Sequence, residues 1–181
     1  MGSAQRPCAQ YIPDRKAKIG WQTEGYYKTN DGQIKALAFY CERPANEGGE
    51  NDLLDHEIAY MLLRDENPQY IETFMDPEVM TIPARMDAGK VARPDRTGPV
   101  CSVDGDGRLH MRYTARTISI RWKQTAAVEQ ATAALTRIME TPSPYHFRGR
   151  LESGQGLISS NVLHTRDAFR DPDGGPKREL Y

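Results

Sequence analysis

The chain has 181 residues with 24 Lys+Arg against 25 Asp+Glu, a formal net charge of −1. That length suits one domain, the balanced charge excludes a nucleic-acid binder held by counterion release, and no run nears the ~20 apolar residues of a membrane span. Hydrophobic residues make up only 38% of the chain, a thin supply for a core of this size.

Met1 to Lys18 is polar and broken by Pro7 and Pro13, and reads as a leader or the remnant of an N-terminal region. Met1–Gln10 has no apolar run of a secretory signal. The three cysteines, Cys8, Cys41 and Cys101, lie far apart in an odd-numbered set that suits a reducing compartment, so a cytoplasmic location is expected. Trp21–Tyr27 reads as a short extended piece. After the turn signal Asn30-Asp31-Gly32, Ile34–Cys41 has strand length, and Glu42–Gly49 is a loop.

The period then changes. Leu54, Ile58, Met61 and Leu62 recur at helical spacing and predict a helix over Asp52–Arg64, ended by Asn67-Pro68. Tyr70–Met75 is a second short helix. Val79–Pro83 is a strand candidate, and Val100–Val103, the turn Asp104–Gly107 and Leu109–Trp122 predict a hairpin with one polar face. Ala126–Glu140 is the clearest helix, with Val128, Ala131, Leu135 and Ile138 as its apolar stripe and Thr141-Pro142 as its stop. Phe147–Leu151 and Leu157–His164 are the last strands. Strands framing helical insertions give an α+β, mainly β class.

Chemistry-bearing residues are few. The four histidines, His56, His110, His146 and His164, form no His-x-x-x-His pair, and no Cys-x-x-Cys exists. Nucleophile elbows, P-loops and dinucleotide fingerprints are absent, and Gly154-Gln155-Gly156 is a turn between strands. The stretch that stands out is Gly154–Arg170, where a strand ends in His164 followed by Arg166 and Phe169. On residue type alone, a single histidine there is more often a hydrogen-bonded structural residue than a ligand.

Four segments change that reading. Asn161-Val162-Leu163-His164-Thr165-Arg166, Trp21-Gln22-Thr23-Glu24-Gly25-Tyr26-Tyr27, Gly48-Gly49-Glu50-Asn51 and Lys177-Arg178-Glu179-Leu180-Tyr181 occur in this order. Together they resemble the taurine dioxygenase-like (TauD/TfdA) family of Fe(II)/2-oxoglutarate-dependent oxygenases, over about Lys18 to Tyr181. The resemblance implies a double-stranded β-helix (jelly-roll, clavaminate synthase-like) core with helical insertions, filling 19–181 as an incomplete oxygenase domain. It implies Fe(II) and 2-oxoglutarate as cofactor and co-substrate, and hydroxylation of a small molecule. His164, Glu24 and Gln22 would be the metal ligands, Arg178, Asn51 and Arg166 the co-substrate contacts, and Tyr26, Tyr27 and Arg116 substrate contacts. No catalytic residue beyond the metal centre is implied.

The sequence departs from the family at the proximal motif. Gln22 stands where the family has His, and Glu24 where it has Asp. First-row transition metals prefer imidazole to an amide oxygen. A homologue with impaired catalysis, kept as a binding or assembly module, is therefore the alternative function. A cupin-like isomerase or lyase lacks a second histidine. Arg178 stands three residues from the end of the sequence, where fraying is expected, and an uncovered sheet edge would favour self-association. Without the resemblance, Gln22 and Glu24 are alternating polar residues of an extended piece, Asn51 a loop residue and Arg178 a tail charge. Both readings stand at this level.

Overall fold

The computed structural model describes residues 16–28, 32–116 and 119–181. In chain order the first elements are β1 (Ile19–Gln22), β2 (Ala36–Arg43), β3 (Glu47–Gly48) and β4 (Asn51–Leu54), then α1 (His56–Glu66) and α2 (Pro68–Met75). Short strands follow: β5 (Met80–Ile82), β6 (Arg85–Asp87), β7 (Lys90–Arg93), β8 (Arg96–Gly98), β9 (Cys101–Val103), β10 (Leu109–Met111) and β11 (Arg121–Trp122). The rest comprises α3 (Ala126–Glu140), β12 (His146–Gly149), β13 (Gly156–Ser160), β14 (Leu163–Arg166), β15 (Phe169–Arg170) and β16 (Glu179–Leu180).

The central sheet runs β1-β14-β4-β12, all antiparallel, and β13-β2-β16 forms a second antiparallel sheet. Period-2 alternation divides β14 between two environments: Leu163 and Thr165 are buried, while His164 and Arg166 share the opposite, half-buried face. On the buried side, Leu54, Leu63, Phe74, Met80, Leu135 and Leu163 fill the core between the sheet and the three helices. Cores of this kind are the dominant stabilising element, because removing apolar surface from water gives roughly 25 cal/mol per Å².

Several sequence expectations shift in register. Asp52–Leu54 belong to a strand, and Asp55 is the N-cap of α1, its side chain accepting from the Glu57 amide at 2.8 Å. The helix therefore starts later and turns Ala59 and Leu63 inward, leaving Met61 exposed. The bounds of α3 match the expected Ala126–Glu140. The long second arm of the expected hairpin is broken into β10, a bridge at Thr114 and β11; Ile118 lies outside the described residues. The segment around Arg178 is not frayed. β16 pairs with β2, and Tyr181 and Tyr40 exchange both backbone hydrogen bonds at 2.9 Å. No helix is long and apolar enough to cross a membrane.

Candidate metal and co-substrate site

Gln22 ends β1 directly opposite His164 of β14, so the two side chains leave the sheet on the same face. Beyond β1 the chain leaves the strand at Thr23 and enters a turn at Glu24. Thr23 turns inward, fully buried, with its amide donating to the Tyr113 carbonyl at 2.9 Å and its hydroxyl accepting from the Tyr113 amide at 3.1 Å. Glu24 then returns to the face of Gln22 and His164.

Asn161 fixes this arrangement from the other side. Its buried side chain accepts from the Glu24 amide at 2.7 Å and donates to the carbonyls of Glu24 and Ile34, both at 2.8 Å. Asn161 belongs to the motif that suggested His164, but sequence alone gave it no role. It satisfies three backbone groups that burial would otherwise leave unpaired.

The three polar side chains meet on the shared face. His164 Nε2 lies 3.4 Å from Glu24 Oε1, and Gln22 Nε2 donates to that same oxygen at 3.2 Å. The other ring nitrogen, Nδ1, is 3.0 Å from the Val162 carbonyl, which can only accept, so Nδ1 carries the proton. In the neutral ring, Nε2 therefore points a lone pair at a carboxylate oxygen. That contact needs a cation: a proton on the ring, or a metal ion between the two groups. With a proton on Nε2 as well, the hydrogen bond from His164 is the main cause that holds the Glu24 carboxyl below its ordinary value, with the His164 charge and Gln22 adding to it against the effect of burial.

This donor set fits a divalent first-row ion at two corners, a neutral imidazole and a carboxylate. The third corner is an amide whose donor end now faces Glu24; half a turn of the amide would offer Oε1 instead. Among the described residues, no three His, Cys, Asp or Glu side chains cluster closely enough to hold a metal. Gln22 is the reason, since the third donor of this face is an amide.

A second group of expected residues assembles at the other end of the same strands. Arg166 pairs in register with Asn51. Arg178 and Asn51, together with Cys41 and Gly49, line one small cavity. The guanidinium of Arg178 lies 5.0 Å from the centre of the Phe169 ring, and that of Arg166 lies 4.8 Å from the same ring. Arg178 is half-buried, and desolvation lowers its pKa from the ordinary arginine value. Arg166 donates to the carbonyls of Ala17 at 2.7 Å and Asp167 at 3.3 Å and does not line the cavity of Asn51 and Arg178. Gly48 has a left-handed φ of 70°, and a Cβ there would stand 2.3 Å from the Ala168 carbonyl oxygen. The glycine thus lets β3 lie against β15 and brings Asn51 close to Arg178.

Tyr26, Tyr27 and Arg116 border another cavity, which also contains Gln22 and Glu24. Arg85 and Arg93 complete its wall, and sequence reasoning assigned neither of them. The signal available was the basic run Arg85, Lys90, Arg93 and Arg96 between two prolines, Pro83 and Pro99.

Comparison with known proteins places these sites in context. A uridine-5'-phosphate dioxygenase from Amycolatopsis sp is 29% identical over 160 residues, covering 84% of this chain and 56% of the relative. Among solved structures, asparagine oxygenase in complex with Fe(II), 2S,3S-3-hydroxyasparagine and succinate aligns with a TM-score of 0.65 at 15% identity, covering 91% of this chain and 49% of the other. A variant of the non-heme iron oxygenase OrfP in complex with (3S)-hydroxy-L-Arg aligns with a TM-score of 0.64 at 16% identity, covering 91% and 48%. The chain thus spans about half the length of the relatives it matches. The shared architecture is the expected jelly-roll, double-stranded β-helix core with helical insertions. The family described as taurine catabolism dioxygenase TauD, TfdA matches residues 4–181, and this chain belongs to it.

Proposed function

We propose that this protein is an Fe(II)- and 2-oxoglutarate-dependent dioxygenase that hydroxylates a small molecule in the cavity beside Gln22 and Glu24. The observation that carries the reading is the His164–Glu24 pair, in which the ring nitrogen left free by the Val162 contact and a carboxylate oxygen face each other at 3.4 Å, a pairing that a ring proton satisfies and that a divalent metal ion would satisfy equally. Fe(II) with 2-oxoglutarate supplies, when bound, the oxygen activation that C–H hydroxylation needs.

The chain's own residues divide the remaining work. The Val162 carbonyl fixes the His164 tautomer, so that Nε2 would be the atom offered to a metal. Glu24 supplies the negative charge, and its hydrogen-bonded surroundings keep it ionised. Gln22 would supply a neutral oxygen once its amide turns, and would hold a metal more weakly than a second imidazole. Arg178 offers a planar fork to the distal carboxylate of 2-oxoglutarate, with Asn51 beside it. Phe169 braces that fork from one side. Arg166 braces the same ring and ties β14 to the backbone before β1, acting on the co-substrate site through Phe169.

Anaerobic titration with Fe(II) and 2-oxoglutarate tests the reading. The expected result is a visible charge-transfer band, followed on admission of air by decarboxylation of 2-oxoglutarate. The substrate panel is uridine-5'-phosphate, L-asparagine and L-arginine, an anion, a zwitterion and a cation suggested by the relatives' names and bound ligands. Absence of iron binding at high micromolar Fe(II) would overturn the proposal.

A further inference from the structure

The cavity beside Glu24 has a volume of about 740 Å³, the size range of sites for drug-sized or nucleotide-sized molecules. Its charge is lopsided. Three guanidinium groups, Arg85, Arg93 and Arg116, border it, and among the described residues that line it Glu24 is the only acid. Glu24 is engaged by His164 and Gln22, so three guanidinium groups share this cavity with one acid whose charge is already directed elsewhere.

Arg93 is the most constrained of the three. Its Nη2 donates to the Pro83 carbonyl at 2.8 Å, and its guanidinium lies 5.4 Å from the centre of the Tyr27 ring. Its Nη1 is buried without a hydrogen-bond acceptor. A buried donor left unpaired on a charged group is costly, so such groups in folded proteins generally have a partner. Arg112 adds to the positive potential, because it interacts electrostatically with Arg93 and its own Nε is also buried without an acceptor. Arg85 and Arg116 are exposed and form no ion pair among the described residues. The adjoining wall is aromatic: Tyr26 and Tyr27 stand edge to face, with ring centres 5.5 Å apart.

A single carboxylate is satisfied by one guanidinium fork, and a substrate with an ammonium or guanidinium group would meet like charge on three sides. A phosphate monoester carries about −1.5 to −2 charges at neutral pH and three acceptor oxygens, which suits a cavity bordered by three guanidinium groups. We propose that this cavity selects phosphate monoesters of ring-containing small molecules, with the phosphate held by Arg93, Arg85 and Arg116 and the ring against Tyr26 and Tyr27. The inference rests on the oxygenase reading only for the reaction that follows; binding itself requires no iron, so the two can fail separately.

Calorimetric titration of the metal-free protein with phenyl phosphate, phenol and inorganic phosphate is the test. Phenyl phosphate is expected to bind at least tenfold more tightly than either of the others, with affinity falling as NaCl rises. Arg93→Gln is expected to weaken the ester at least tenfold. The double variant Arg85→Gln/Arg116→Gln, at two exposed positions that do not support the fold, is expected to do the same with an unchanged melting temperature. Saturating 2-oxoglutarate should leave the ester's affinity unaltered. Equal binding of phenol and the ester would overturn the proposal, as would unchanged affinity in the double variant. Inorganic phosphate binding as well as the ester would assign the cavity to free phosphate instead, and competition by 2-oxoglutarate would assign the arginines to the co-substrate.

Discussion

The two halves of the candidate iron site are built to the same standard and differ in chemistry. On the distal half, His164 sits mid-strand between β1 and β4, with its tautomer set by the Val162 carbonyl. On the proximal half, Thr23 is pinned to Tyr113 by two hydrogen bonds and Glu24 is clasped by Asn161. The proximal backbone is therefore as firmly held as the distal one. Gln22 is a change of donor atom on an intact scaffold, because a slackened loop would not leave its side chain 3.2 Å from Glu24 and its backbone in register with His164. That separates two explanations that a weak affinity of the proposed metal site would have, and mutations at the two halves separate them experimentally.

The largest effect is expected at the clasp. Asn161→Ala removes three hydrogen bonds and leaves the Glu24 amide and the Ile34 and Glu24 carbonyls without their partner. The expected loss is about 3 kcal/mol, a fall in melting temperature of roughly 6–12 °C by calorimetry. Asn161→Asp keeps the acceptor for the Glu24 amide but not the donor, and should fall between. A loss below about 0.5 kcal/mol in the alanine variant would mean that the proximal scaffold is not held as described.

Next comes the proposed distal ligand. His164→Ala should lower Fe(II) affinity by at least about 100-fold, since even groups that only orient a ligand are worth 10–100-fold. Its melting temperature should change little, because the ring is on the half-buried face rather than in the core. The proximal counterpart has the opposite sign. Gln22→His should raise Fe(II) affinity at least about tenfold if only the donor atom is at fault. Unchanged affinity in this variant, in a protein that still folds, would place the fault in the scaffold and break the comparison.

These halves were unequally legible in the sequence. His164, Glu24 and Gln22 could be named only because their motifs resemble the family's; on residue type and spacing alone they were polar residues of extended segments. The helix over Ala126–Glu140 was plain, its apolar stripe and Thr-Pro stop being local signals. The start of α1 was misplaced because Asp52 and Asp55 look alike in sequence, and pairing with β12 and β14 decides that Asp52 belongs to a strand. Arg85 and Arg93 escaped notice for a related reason. They reach the cavity of Glu24 through a hairpin, β6–β7, whose position depends on partners far away in the chain. The order around Arg178 was likewise invisible, since it comes from pairing with β2 across more than a hundred residues.

The smallest expected effect tests whether both halves rest on one cooperative fold. His110, in β10, belongs to neither. Burial first, then the neighbouring His56, Arg112 and Lys35, bring its pKa from 6.5 down to about 4. The folded ring is thus neutral where an unfolded one takes up a proton. Between pH 6.5 and about 4 the unfolded chain binds more protons, so the contribution to stability is complete above that window and is lost as pH falls through it. The difference caps the effect at roughly 3 kcal/mol, and solvent screening at a part-exposed ring leaves about 1–2 kcal/mol. Denaturation at pH 7 and pH 5 should therefore show a loss in acid that His110→Gln reduces. Amide exchange at Thr23 on the proximal half and within β14 on the distal half should accelerate together over the same range. If Thr23 loses protection while β14 keeps it, the proximal half opens by itself, and a weak proposed metal site would then include a structural share that Gln22→His alone cannot repair.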